Sequence, residues 1–75
     1  VIIIRLKEAI RTYEERTGTP MTYAELAKRT GLSRATVEAL GSRSSYNTTL
    51  SSVDKLCRAL GCELSDLLRY EPTDE

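Results

Sequence analysis

Apolar positions along the 75-residue chain recur at three- and four-residue intervals in several separate blocks. Leu6, Ala9, Ile10 and Tyr13 make the first stripe, with Lys7, Glu8, Arg11, Glu14 and Glu15 on the other side. That spacing predicts an amphipathic helix over roughly residues 5–17. Gly18 suits the left-handed residue just past its end, and Pro20 bars continuation. Ahead of the helix, Val1-Ile2-Ile3-Ile4 is a run of β-branched residues, which prefers extended backbone. It reads as a short strand or arm. Its partner is either the other terminus, around Leu68-Arg69-Tyr70, or the same segment in a second subunit.

A second helix opens at Thr22, where Thr22-Tyr23-Ala24-Glu25 has the spacing of a capping box. Leu26 and Ala27 form its apolar stripe, and Gly31 ends it. Ser33 caps a third helix, with Val37 and Leu40 facing inward. Gly41 is expected to end that helix, because glycine takes positive φ at little cost. Residues 42–49, Ser-Arg-Ser-Ser-Tyr-Asn-Thr-Thr, have no apolar period and read as an exposed loop. Leu50, Val53, Leu56, Cys57 and Leu60 give a fourth stripe closed by Gly61, and Leu64, Leu67 and Leu68 suggest a last short helix. The expected fold is all-α: one domain over residues 1–75 with five helices, and a short N-terminal strand pairing near the C-terminus.

The segment Glu25-Leu-Ala-Lys-Arg-Thr-Gly-Leu-Ser-Arg-Ala-Thr-Val-Glu-Ala-Leu40 joins two helical blocks with almost no linker. Helices joined by so short a turn cross steeply, at about 90–120°. A tight crossing needs a small residue facing the partner, and Ala27 supplies it. The turn needs a residue tolerant of positive φ, and Gly31 supplies that. A branched apolar residue must then point back at the first helix, as Val37 does, with Leu26, Leu32 and Leu40 sealing the seam.

The pattern Leu26-Ala27-x-x-x-Gly31-Leu32-Ser33-x-x-Thr36-Val37 resembles the helix-turn-helix of the Cro/repressor type, the Xre family. Leu50-x-x-Val53-x-x-Leu56-Cys57-Arg58-Ala59-Leu60-Gly61-Cys62-x-Leu64-x-Asp66-Leu67-Leu68 is similar to the fourth and fifth helices of its small single-domain members. The likeness runs from about residue 5 to residue 70, with the helix-turn-helix core at about residues 22–41. It implies that the helix over residues 33–40 is the recognition helix and lies in the major groove of double-stranded DNA.

The base-contact candidates on that helix are Ser33, Arg34, Ala35, Thr36 and Glu38. Arg34 has the fork geometry to donate to guanine O6 and N7, and the alternative is a solvated arginine. The methyls of Ala35 and Thr36 suit a thymine methyl, whereas capping already occupies the Ser33 hydroxyl. Glu38 is repelled by phosphates. It either accepts from cytosine N4, holds Arg34 in one rotamer four residues away, or is merely exposed. Backbone-contact candidates are Thr22 and Tyr23, then Arg43, Ser44, Ser45, Tyr46, Asn47 and Thr48. Their hydroxyl, amide and guanidinium donors suit phosphate oxygens as well as they suit plain solvation. Three features depart from the family pattern: Tyr23 stands where Gln is common, Gly41 where many members have Glu, and the loop that follows is polar and slightly longer where many members place a Pro.

Charge adds little to this picture. Eleven basic and eleven acidic side chains cancel, although the distribution is uneven. Residues 1–20 sum to +1, residues 21–49 to +2 and residues 50–75 to −3, the last including the acidic tail from Glu71 to Glu75. Cys57 and Cys62 sit among apolar neighbours and read as buried free thiols, with no histidine or further cysteine to make up a metal set. Neither a metal nor another cofactor is expected. The absence of histidine, of a Gly-rich phosphate loop and of paired carboxylates speaks against an enzyme. No apolar run is long enough to cross a bilayer and no leader pattern opens the chain, so a cytoplasmic location is expected.

Together these readings describe a sequence-specific DNA-binding transcriptional regulator, of the repressor kind. Because one recognition helix reads only a few base pairs, a homodimer on two half-sites is expected. The alternative is a protein-interaction module, antitoxin-like or adaptor, that uses the same fold to hold a partner. Zero net charge and the acidic tail favour that alternative.

Overall fold

The computed structural model describes residues 1–73. In chain order its elements are β1 (Ile2–Ile4), α1 (Leu6–Thr17), α2 (Tyr23–Thr30), α3 (Arg34–Ser42), α4 (Leu50–Leu60), α5 (Leu64–Leu67) and β2 (Leu68–Tyr70). The five expected helices are present, and the short terminal strand finds its partner within the same chain. β1 and β2 pair antiparallel, Ile2 opposite Tyr70, Ile3 opposite Arg69 and Ile4 opposite Leu68. The last helix is shorter than Leu64, Leu67 and Leu68 suggested, because Leu68 already belongs to β2.

Each helix stops for a local reason. Gly18, Gly31 and Gly61 adopt positive φ and close α1, α2 and α4. At Gly31 (φ 77°) the amide donates back to the Ala27 carbonyl, which satisfies one of the carbonyls left open at a helix end. Gly41 does not play this part. It lies inside α3, which runs on to Ser42 and ends at the extended Arg43. The capping box at Thr22 is also only half made. Thr22 Oγ1 accepts from the Glu25 amide at 3.1 Å, while the Glu25 carboxylate turns to Arg29 at 3.3 Å.

The core draws on every helix: Leu6, Leu26, Val37, Leu40, Leu56, Leu60 and Leu67 are almost wholly buried. Removing such side chains from water is the main source of stability in a chain this short. Met21 is buried in the α1–α2 connection, and its amide donates to Glu14 Oε2 at 2.8 Å. Thr30 is the one buried polar residue among those described. Its hydroxyl donates to the Leu26 carbonyl at 2.8 Å and accepts from the Leu32 amide at 3.2 Å, so burial leaves no polar atom orphaned.

Three apolar positions depart from expectation. Leu50 begins α4 but is 83% exposed, because the first residue of the helix overhangs the edge of the core. Cys57 and Cys62 are half-buried rather than buried, and both are free. They line an open cavity of about 340 Å³ together with Leu50, Val53 and Leu64. Burial, followed by the neighbouring Cys57, pushes the Cys62 thiol from its usual 9.0 up to about 11.

Candidate nucleic-acid interface

α3 is held by one face and free on the other. Val37 and Leu40 are buried against the body, which leaves Ser33, Arg34, Ala35 and Glu38 exposed and Thr36 half-buried. The five base-contact candidates therefore sit together around the start and outer side of one helix. Their chemistry is not equally available. Ser33 Oγ accepts from the Thr36 amide at 3.1 Å and donates to Thr36 Oγ1 at 2.8 Å, so its single proton is spent on capping. Thr36 keeps its own proton. Arg34 donates from Nε to Glu38 Oε1 at 3.0 Å, which leaves its two terminal nitrogens with donors to spare.

The backbone-contact candidates separate into two groups. Thr22 is exposed at the start of α2, and Arg43, Ser44, Ser45 and Asn47 are exposed in the loop after α3. Tyr46 and Thr48 turn inward instead: both are half-buried, and Tyr46 packs against the core. They border a smaller cavity of about 160 Å³ with Ile2, Ile4 and Leu68. The loop is anchored and not merely solvated. Ile4 of β1 donates its amide to the Ser44 carbonyl at 2.7 Å, and Tyr46 donates its amide to the Arg43 carbonyl at 3.2 Å. Thr49, not singled out from sequence, closes the loop by accepting from the Ser52 amide at 3.1 Å as the cap of α4. Its signal was present as a Thr directly before an apolar period.

Tyr23 behaves differently from its neighbours. It is half-buried and packs against the core, and its phenol crosses α3 at Gly41. A Cβ placed on Gly41 would lie 2.6 Å from Tyr23 Cζ and closer still to the hydroxyl. Sequence reasoning named Tyr23 and passed over Gly41 as a site residue, because their contact depends on how two helices cross. Arg29, late on α2, is tied down as well. It donates to the Tyr13 hydroxyl at 3.2 Å and pairs with Glu25. Those two partners, Tyr13 first, hold its guanidinium above the ordinary value.

Among the described residues no group of three or more His, Cys, Asp or Glu side chains is placed to hold a metal ion. No helix is long and apolar enough to cross a membrane. Of the acidic tail, Asp74 and Glu75 lie outside the described residues.

Two helices joined at a left-handed glycine, the second with one flank buried and the other open, define a helix-turn-helix domain. The family model described as Cro/C1-type HTH DNA-binding domain matches residues 19–73, and the chain belongs to that family. No curated protein matches the chain. The match covers α2 to β2, so the likeness read from Leu26 to Leu68 and the observed fold agree.

Proposed function

We propose that this DNA-binding domain acts as a sequence-specific transcriptional regulator, a repressor, that lays α3 in the major groove. The observation that carries the reading is the open flank of α3 beside a buried Val37 and Leu40. The major groove admits a helix and presents a distinct donor and acceptor pattern for each base pair. Arg34 is assigned to a guanine, Ala35 and Thr36 to thymine methyls, and Glu38 to steering Arg34. Ser33 stands at the helix start as the cap of α3, its hydroxyl engaged with Thr36. Thr22, Tyr23, Arg43, Ser44, Ser45 and Asn47 are assigned to phosphates. Tyr46 and Thr48 are assigned to holding the loop that presents them. The working form is a homodimer in the cytoplasm, since a single short helix reads too few base pairs to find one site.

One observation favours the second reading, a protein-interaction module. The chain carries no net charge. Salt separates the two. A chain that neutralises four phosphates loses duplex affinity with a log–log slope of about −3.6. Selection of genomic fragments by the purified chain, followed by titration across salt, is expected to give such a slope on the recovered duplex. Absence of any duplex binding would leave the interaction module standing.

A further inference from the structure

A helix interior disfavours glycine, and Gly41 has no positive φ to justify it. What occupies the space that a side chain would fill is the phenol of Tyr23, eighteen residues earlier and on another helix. Tyr23 Cε1 lies 3.2 Å and Cζ 2.6 Å from where a Cβ would be, with the hydroxyl nearer still. Glycine is the residue that lets the hydroxyl end of this ring come up against the last turn of α3.

The ring is held but its oxygen is not used. Tyr23 is half-buried, and its ring packs on the core. Among the described residues no buried side-chain oxygen or nitrogen lacks a partner. Among those residues the Tyr23 hydroxyl makes no hydrogen bond, and so it is open to solvent. The ring therefore carries a donor to the place where α2 crosses α3, at Gly41.

We infer that Gly41 is a positioning residue for DNA binding: its missing side chain forms the slot that fixes the Tyr23 hydroxyl where it donates to a backbone phosphate. The inference rests on the DNA reading above. A phenol O–H is a donor, and phosphate oxygens are the commonest acceptors for such side chains at a duplex. With Ala at position 41 the far end of the tyrosine must swing away. The helix itself gains a better former, so the loss falls on DNA binding and not on folding.

The test uses the duplex that the wild-type chain recovers from genomic fragments, with fluorescence anisotropy and thermal melting. Tyr23→Phe and Gly41→Ala are each expected to weaken binding roughly tenfold, the worth of one hydrogen bond to a charged group. The weakening should be uniform across base substitutions in the site, as for a phosphate contact. The double variant should bind no worse than either single one, while melting temperatures stay near wild type. Wild-type affinity in either single variant, or losses that multiply in the double, overturns the inference. If Gly41→Ala fails to fold, Tyr23→Ala is compared with Tyr23→Ala/Gly41→Ala, where room exists for the added Cβ. Equal affinities are expected there, and unequal ones overturn the role of Gly41. A wild-type chain that binds no duplex at any salt instead overturns the DNA reading, and this inference with it.

Discussion

Arg34 and Glu38 are joined across one turn of α3, Nε to Oε1 at 3.0 Å, on the flank that faces away from the core. Both side chains are more than half exposed, so the pair adds little to stability. Its effect is on presentation. The carboxylate accepts from the Nε–H, and both terminal nitrogens of Arg34 keep their own donors.

For Arg34→Ala the expected outcome is relaxed preference at one base position, by about 1–3 kcal/mol, with other positions unchanged. Uniform weakening across all positions would assign Arg34 to a phosphate. Glu38→Gln removes a negative charge from the exposed flank of α3 while keeping an acceptor. It is expected to raise affinity for random duplex and to narrow the gap between selected and random sequences. Competition binding at fixed salt measures both.

Gly31 tests the corner between α2 and α3. A Cβ there would meet nothing within 4 Å, so the cost of Gly31→Ala comes from the left-handed backbone alone. That cost is about 1–2 kcal/mol. For a domain of this size each kcal/mol lowers the melting temperature by roughly 4–8 °C. A thermal melt that does not move would show that the corner tolerates a side chain.

Cys62 gives the alkaline limb of stability. Its thiol is pushed up to about 11 in the fold, against 9.0 ordinarily, so the unfolded chain loses its proton first as pH rises. Between those values the unfolded state binds fewer protons and stability falls with pH. The stabilisation from keeping Cys62 neutral adds nothing to the pH dependence below pH 9. Denaturant titrations from pH 8 to pH 11 should show this slope, and Cys62→Ala should flatten it. Alkylation of the folded chain by iodoacetamide at pH 8 should be slow at this residue.

The proposed homodimer is tested at the exposed apolar rim. Leu50 is 83% and Leu64 57% exposed, and both border the same cavity. Leu50→Glu/Leu64→Glu is expected to leave the core intact and to yield a monomer in sedimentation velocity. A dimer that survives the change places the interface elsewhere, and β1 beside Ile2 and Tyr70 is the next face to alter.

Much of the fold was legible because short-range physics set it. Apolar periods at Leu6–Ile10, Leu26–Ala27, Val37–Leu40 and Val53–Leu60 located four helices, and three glycines with positive φ located three of their ends. The β-branched run made the first strand legible, but its partner was left open between the other terminus and a second subunit, and the fold decided for the former. Gly41 misled because a glycine near a helix end has two uses, positive φ and close approach, and sequence spacing does not separate them. Leu50 misled because the first residue of a helix can carry the apolar type without reaching the core.

What the chain determined by itself was a set of local instructions: where each helix starts, where the corner falls, and which flank of α3 is apolar. These depend on neighbours three or four residues away. Only the tertiary structure decided that Tyr23 and Gly41, both departures from the family pattern, answer one another, and that Tyr46 and Thr48 face inward. Contacts between residues far apart in sequence depend on how helices cross, and crossing is settled by the packing of the whole core rather than by any one segment.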